Sequence, residues 1–287
     1  MSKSKSLAIQ FIVMGTAVVA IVLLSFASTV PQKSKPVAVE QHEGHSLEEL
    51  IAEARASFSP ELQRQVKEIE DAIQTDRDVV KRGRMYDSLV RYLGRNMQYV
   101  YAAHIAEQKA VKNSGSSLDW AQAGERYHAS AGFQKEQDHV PPLINAAIRC
   151  FNKALELDAQ NLDAKTGLGM CLVEGTADPM KGISLLKEVE ASDSTHINAQ
   201  LALADFAVRS QQYDKAIERY RKALRLKPEY YGLHLSMAEL FEVKGDTANA
   251  IKELELYLEK ENDPLVRNNV ENAIRQLRAP VQNGGNK

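Results

Sequence analysis

Cysteine is scarce: Cys150 and Cys171 are the only two in 287 residues, and neither belongs to a CxxC pair. That excludes a disulfide framework and a cysteine-built zinc site. The two read as small buried apolar side chains, with a single bridge open to them if their helices meet in an oxidising compartment. Aromatic residues are few, 6% with a single Trp, whereas strand-rich domains usually carry more. No excess of basic charge is present, since the formal net charge is -2, so no overall field points to nucleic acid. Walker, GxGxxG, HExxH and GxSxG patterns are all missing. The seven histidines (His42, His45, His104, His128, His139, His196 and His234) have no sequence neighbours that suggest a triad or a metal cage. The pair in His42-Glu43-Gly44-His45 sits at the end of a polar linker with no Cys or third His nearby in sequence. A flexible linker does not hold a tetrahedral geometry, so these read as solvated histidines. No catalytic residue, cofactor or metal ligand is expected, and the chain does not read as an enzyme.

What is abundant is Ala, Leu, Glu, Lys, Arg and Gln, the strong helix formers, within an ordinary apolar share of 44%. An all-α protein follows from composition.

The one long hydrophobic run is near the start. Residues 1–6 form a short basic tail, and Leu7–Val30 then carries no charged residue over 24 positions. About 20 apolar residues suffice for a helix to cross a bilayer. The run exceeds the roughly 7–15 residues of a cleaved signal, so it reads as an uncleaved transmembrane anchor. A cleavable secretory signal, with Ser25-Phe26-Ala27 as a small-x-small site, is the alternative, and it would release a soluble periplasmic protein. Lys3 and Lys5 nearly balance Lys33 and Lys35 across the run. A basic tail this short before a first span usually stays in the cytoplasm. This predicts a single-pass protein of a bacterial inner membrane with residues 31–287 in the periplasm. Residues 31–45 form a polar linker.

Helix signals come next. Ser46-Leu47-Glu48-Glu49 has the form of a capping box, and Ser59-Pro60 sets an N-cap before a proline at the first helical position. Leu62, Val66, Ile69 and Ile73 then fall on one helical face. Residues 46–82 are thus a helical segment that packs on the remaining helices, with pairing to a partner helix as the alternative.

Self-similarity governs the rest. Gln212-Tyr213-Asp214-Lys215-Ala216-Ile217-Glu218-Arg219-Tyr220 aligns with Asp246-Thr247-Ala248-Asn249-Ala250-Ile251-Lys252-Glu253-Leu254. Ala204 and Ala238, Ala216 and Ala250, Ile217 and Ile251, and Leu224 and Leu258 each stand 34 apart, the period of one helix-pair repeat. Around it fall Leu203, Ala204, Ala216, Tyr220, Ala223 and Pro228, and then Met237, Ala238, Phe241, Ala250 and Leu254. On these residues the chain resembles the tetratricopeptide-repeat family. The resemblance divides it into a degenerate unit at 83–116, a repeat at 117–161 with an insertion around Gly132–Pro141, and repeats at 162–196, 197–230 and 231–264. A capping helix at 265–278 and a disordered tail at 279–287 close the chain. Gln200 and Ala207 depart from the family at positions 4 and 11, and Tyr257 departs at position 27.

The resemblance implies a right-handed superhelical solenoid of helix pairs with a groove lined by first helices, where other proteins bind. Groove positions carried over residue by residue include Glu125, His128, Met170, Glu174, Asn198, Leu201, Asp205, Arg209, Leu235, Glu239 and Glu242. That lining is apolar with an acidic lean. It lacks the Lys, Asn and Arg set with which some members clamp a C-terminal carboxylate. It fits an extended or helical peptide with apolar anchors and basic residues. The expected role is a membrane-anchored scaffold whose partners are other proteins, without nucleic acid and without a cofactor. An accessory subunit of an envelope enzyme or assembly is the alternative.

Overall fold

The computed structural model describes residues 45–175 and 179–279; the expected membrane segment 7–30, residues 31–44 and the tail from 280 lie outside them. Among the described residues there are thirteen α-helices and no strand. In chain order they are α1 (Leu47–Ala56), α2 (Pro60–Thr75), α3 (Val79–Arg95), α4 (Tyr99–Lys109), α5 (Ser117–Ala131), α6 (Val140–Leu157) and α7 (Leu162–Gly175). Then come α8 (Pro179–Ser192), α9 (Ile197–Arg209), α10 (Tyr213–Leu226), α11 (Leu233–Val243), α12 (Thr247–Leu258) and α13 (Pro264–Arg278). Among the described residues no helix is long and apolar enough to cross a membrane. The chain divides into two compact units, one within Pro36–Ala202 and one within Leu203–Lys287.

Local chemistry sets the helix ends. Ser46 Oγ accepts from Glu49 N at 3.2 Å, and Glu49 Oε2 accepts from Ser46 N at 2.7 Å, closing a capping box. Ser59 caps α2 ahead of Pro60, Asp78 accepts from Val80 N and Lys81 N, and Asp263 does the same for α13 ahead of Pro264. Helices α9 and α11 stop in the same way. Gln211 (φ 60°) and Gly245 (φ 74°) take the left-handed conformation, and the next amides bond back to Ala207 O at 2.7 Å and Phe241 O at 2.8 Å. Those two residues stand 34 apart, so the period is written in the backbone as well as in the side chains.

In the first unit, successive helices from α3 to α8 pack as neighbours, and α1 packs on α4 and α6. Leu62, Val66 and Ile73 face this core, as their spacing predicts, with Ile69 against its edge. Leu89, Leu93, Tyr127, Leu143 and Phe151 are fully buried, each contributing roughly 1.5–3 kcal/mol by leaving water. Polar ties join the helices at the core's margin. Lys109 Nζ reaches Asp87 at 2.6 Å and Asp119 at 2.9 Å, so one ammonium links α3, α4 and α5. Burial works against that charge, but the two carboxylates outweigh it and hold the ammonium's pKa above its ordinary value. Glu107 on α4 accepts from Tyr127 on α5 and from Arg149 on α6, both at 2.7 Å.

Small residues let the helices meet closely. A Cβ on Gly182 of α8 would lie 2.4 Å from Gly169 O and 2.9 Å from Val173 N, both backbone atoms of α7. Gly124 and Gly167 have no room for a Cβ beside the Phe151 ring, which would stand 2.8 Å and 2.2 Å away. Phe151 on α6 thus fills the space left by two glycines, one on α5 and one on α7. Cys150 and Cys171 are buried and free. Burial pushes the Cys150 thiol up to about 12, so it stays protonated and inert.

In the second unit Ala204, Ala216, Ala238 and Ala250, the small positions of the period, are 0–1% exposed. Helices α11, α12 and α13 enclose Ala238, Leu254, Tyr257, Val270 and Ile274. Tyr257, which departs from the repeat pattern, is buried beside Tyr231 with ring centroids 5.5 Å apart, and its hydroxyl donates to Glu261 at 2.6 Å.

The glycine contacts predict a split between two substitutions. An Ala in a helix interior normally stabilises by about 0.5–1 kcal/mol relative to Gly. Gly94→Ala, in the last turn of α3 with a Cβ that meets nothing within 4 Å, should stabilise in the same direction by restricting the unfolded chain. Gly182→Ala should destabilise by about 1–3 kcal/mol, because only parting the helices makes room. Urea unfolding followed by helical circular dichroism distinguishes the two.

Candidate functional site

The residues expected to line a groove fall on α5, α7 and α9 in the first unit and on α9 and α11 in the second. Each set is placed by the first helix of a pair, whose small face packs inward and whose opposite face stays partly open.

In the first unit, His128 Nε2 meets Glu174 Oε2 at 2.7 Å, tying α5 to α7. His196 Nε2 meets Asp163 Oδ1 at 3.1 Å, tying the residue before α9 to α7. Met170 is half-buried on this face and Asn198 is exposed, while Leu201 is half-buried. Glu125 is an exposed residue. Burial, and after it Asp163, raises its pKa. Acidic and imidazole groups therefore share one face, with Met170 among them.

In the second unit, Tyr220 OH donates to Asp205 Oδ1 at 3.0 Å. Burial, then Asp205, then Glu239 push that phenol up. Leu235 packs against the core. Arg209, Glu239 and Glu242 are exposed, and Val243 beside them is 65% exposed. Burial and the neighbouring Glu242 raise the Glu239 carboxyl, and burial raises that of Glu242. Among the described residues no cation forms an ion pair with either. The exposed end of α11 is thus an unneutralised acidic pair next to a bare valine.

Helices α10 and α12 are joined through Arg221 and Glu253. Glu253 is 5% exposed and lies 2.7 Å from His234 Nδ1 and 3.6 Å from Arg221. Arg221 also stands 5.7 Å from the Phe241 ring centroid.

A cleft of about 410 Å³ in the first unit has no forerunner in the sequence reading. Ile73, Leu89 and Ile105 supply apolar wall, and Arg82, Gln74 and Lys112 supply polar lining. On one side Arg55 grips Glu70 through two bonds of 2.7 and 2.8 Å, and Tyr101 OH donates to the same carboxylate at 2.7 Å. Burial works to raise the Glu70 pKa, but the bonds from Arg55 and Tyr101 win and hold it below the ordinary value. Arg55, Glu70, Leu89 and Tyr101 come from four successive helices, and no local motif joins them.

Residues 207–270 match a family model described as tetratricopeptide repeat. The tetratricopeptide-repeat family is supported. The matched stretch runs from the end of α9 into α13. No curated protein matches the chain. Among solved structures, a thermophilic tetratricopeptide-repeat protein of Thermus thermophilus is 16% identical, with 68% of this chain and 98% of that one covered and a TM-score of 0.52. The Cut9–Hcn1 hetero-tetramer of APC/C is 14% identical over 84% of this chain and 44% of that one, with a TM-score of 0.52. MamA of Desulfovibrio magneticus RS-1 is 20% identical over 62% and 93%, with a TM-score of 0.44. At these identities the first two likenesses show the fold alone, an all-helical repeat of the tetratricopeptide kind.

The raised carboxyls on α11 predict a pH effect. At pH 7 both are ionised in surroundings that favour the neutral acid. Folded pKa values lie above the ordinary 4.5, so stability falls as pH rises through them. Glu239→Gln with Glu242→Gln should melt higher than the native chain at pH 7. The gain should vanish below about pH 4.5, where both native carboxyls are protonated in either state. Melting curves across that range check it.

Proposed function

We propose that the chain is a non-catalytic scaffold that binds another protein through the open faces of its first helices, held at a membrane by residues 7–30. The observation that supports it best is the end of α11. Glu239 and Glu242 are exposed, neither has a cationic partner among the described residues, and Val243 lies bare beside them. A Lys or Arg of a partner would supply the missing charge, and an adjacent apolar side chain would cover the valine. The occupant that fits is a protein segment carrying a basic residue next to an apolar one.

The solenoid family is consistent with this use, because helix-pair repeats present extended surfaces. The uncharged run Leu7–Val30 supports the tether. Anchoring would raise the local concentration of whatever the face binds, an avidity gain without new contacts.

Crosslinking the full-length protein in its native membrane tests the reading. A specific partner should be captured, and Glu239→Arg with Glu242→Arg should lose it while keeping the native helical spectrum. Removing residues 1–36 should release the protein from the membrane fraction and lower the capture. Identical capture by the charge-reversed variant would place binding elsewhere, with the cleft beside Arg55 and Tyr101 as the next site to alter.

A further inference from the structure

The fold brings together two histidines that lie far apart in sequence. His45 precedes the cap of α1, and Glu53 lies on α1 two turns further along. His139 and Asp138 belong to the 3-10 turn Gln137–His139, which leads into α6. Because α1 packs on α6, the two ends of this arrangement meet. The rings of His45 and His139 stand edge to face with centroids 4.6 Å apart. One ligand atom from each of His45, Glu53 and His139 lies within 4.8 Å of the other two.

We propose that His45, Glu53 and His139 form a binding site for a divalent transition-metal ion of the zinc class, with Asp138 as the positioning residue. The donor set is two imidazoles and one carboxylate, which suits zinc and its neighbours rather than magnesium or calcium. His45 uses both ring nitrogens. Nδ1 lies 3.3 Å from Asp138 Oδ2, and Nε2 lies 3.5 Å from Glu53 Oε1. Donation of Nδ1–H to Asp138 leaves the Nε2 lone pair facing Glu53, the tautomer a metal requires. With bonds of about 2.0–2.1 Å, a tetrahedral ion spaces its ligand atoms about 3.4 Å apart. The His45–Glu53 separation already has that span.

His139 supplies a second, independent observation. Its Nε2 is buried and makes no hydrogen bond among the described residues, although the side chain is only 13% exposed. Its one ion-pair neighbour is Glu136 Oε2 at 3.4 Å, a residue on the exposed rim. A buried nitrogen that makes no hydrogen bond and has only this longer contact is unfavourable, and a metal bond would supply the missing interaction. Three protein ligands leave at least one position for water or for a carboxylate such as Glu136. The ion would fasten the start of α1 to the turn before α6, joining two segments far apart in the chain.

Titrating chelator-treated full-length protein with zinc chloride in a calorimeter tests the site. One saturable ion per chain is expected, with a melting temperature raised by zinc. Glu53→Gln alters an exposed side chain and should weaken binding at least tenfold. His139→Ala should abolish the site, with circular dichroism confirming that the variant is folded. Asp138→Asn should weaken binding by about 10–100-fold, as loss of an orienting carboxylate does. His42→Ala should leave binding unchanged. The proposal is overturned if no ion binds at one per chain, or if Glu53→Gln and His139→Ala both bind as the native chain does. It is also overturned if His42→Ala alone removes binding, which would assign the ion to the histidine pair of the preceding segment.

Discussion

Backbone contact between paired helices is the constraint on which the rest of the structure depends. Helices α7 and α8 meet where Gly169 faces Gly182, and no side chain fits between them. The same economy recurs at the alanine positions of the later repeats, all of them buried. Close approach forces large side chains out of the crossing and into the space between pairs. Phe151 shows the consequence, since its ring occupies the hollow left by Gly124 and Gly167. Packing at this density is why a single added carbon can change sign from stabilising to destabilising.

Much of this was legible because it repeats. The 34-residue spacing of Ala204 with Ala238 and of Ala216 with Ala250 marks the crossings, and those residues are buried. Ser46, Ser59 and Asp263 cap helices as their local patterns require. Departures from the pattern also have physical reasons. Gln200 stands where the repeat usually has a large apolar residue, yet it is fully buried. Its amide donates to Glu190 Oε1 at 3.1 Å and to Ser194 O at 3.2 Å, so hydrogen bonds take the place of apolar contact. Gly167 carries no periodic signature, and its need for a missing Cβ is visible only once Phe151 is placed.

What the sequence could not yield depends on contacts between distant segments. His45 belongs to a stretch with no third ligand nearby, and the reading of it as a solvated histidine rested on that local view. The partner is His139, on the far side of five intervening α-helices and delivered by the packing of α1 on α6. The cleft beside Arg55 and Tyr101 has the same origin, since its lining comes from several helices. On the outward faces the residue types were legible, but the strain on Glu239 and Glu242 was not. Their raised pKa values come from desolvation by neighbours that only the fold assembles.

Native-state hydrogen exchange tests most directly whether the small-residue crossings hold the fold. The slowest amides should lie on α5, α6, α7 and α8 around Gly124, Phe151, Gly169 and Gly182, opening only with global unfolding. Amides of the connection from Gly132 to Gln137 should exchange by local fluctuation. If the amides at the crossings exchanged as fast as that connection, close approach of the helices could not be what holds the fold, and the account would fail.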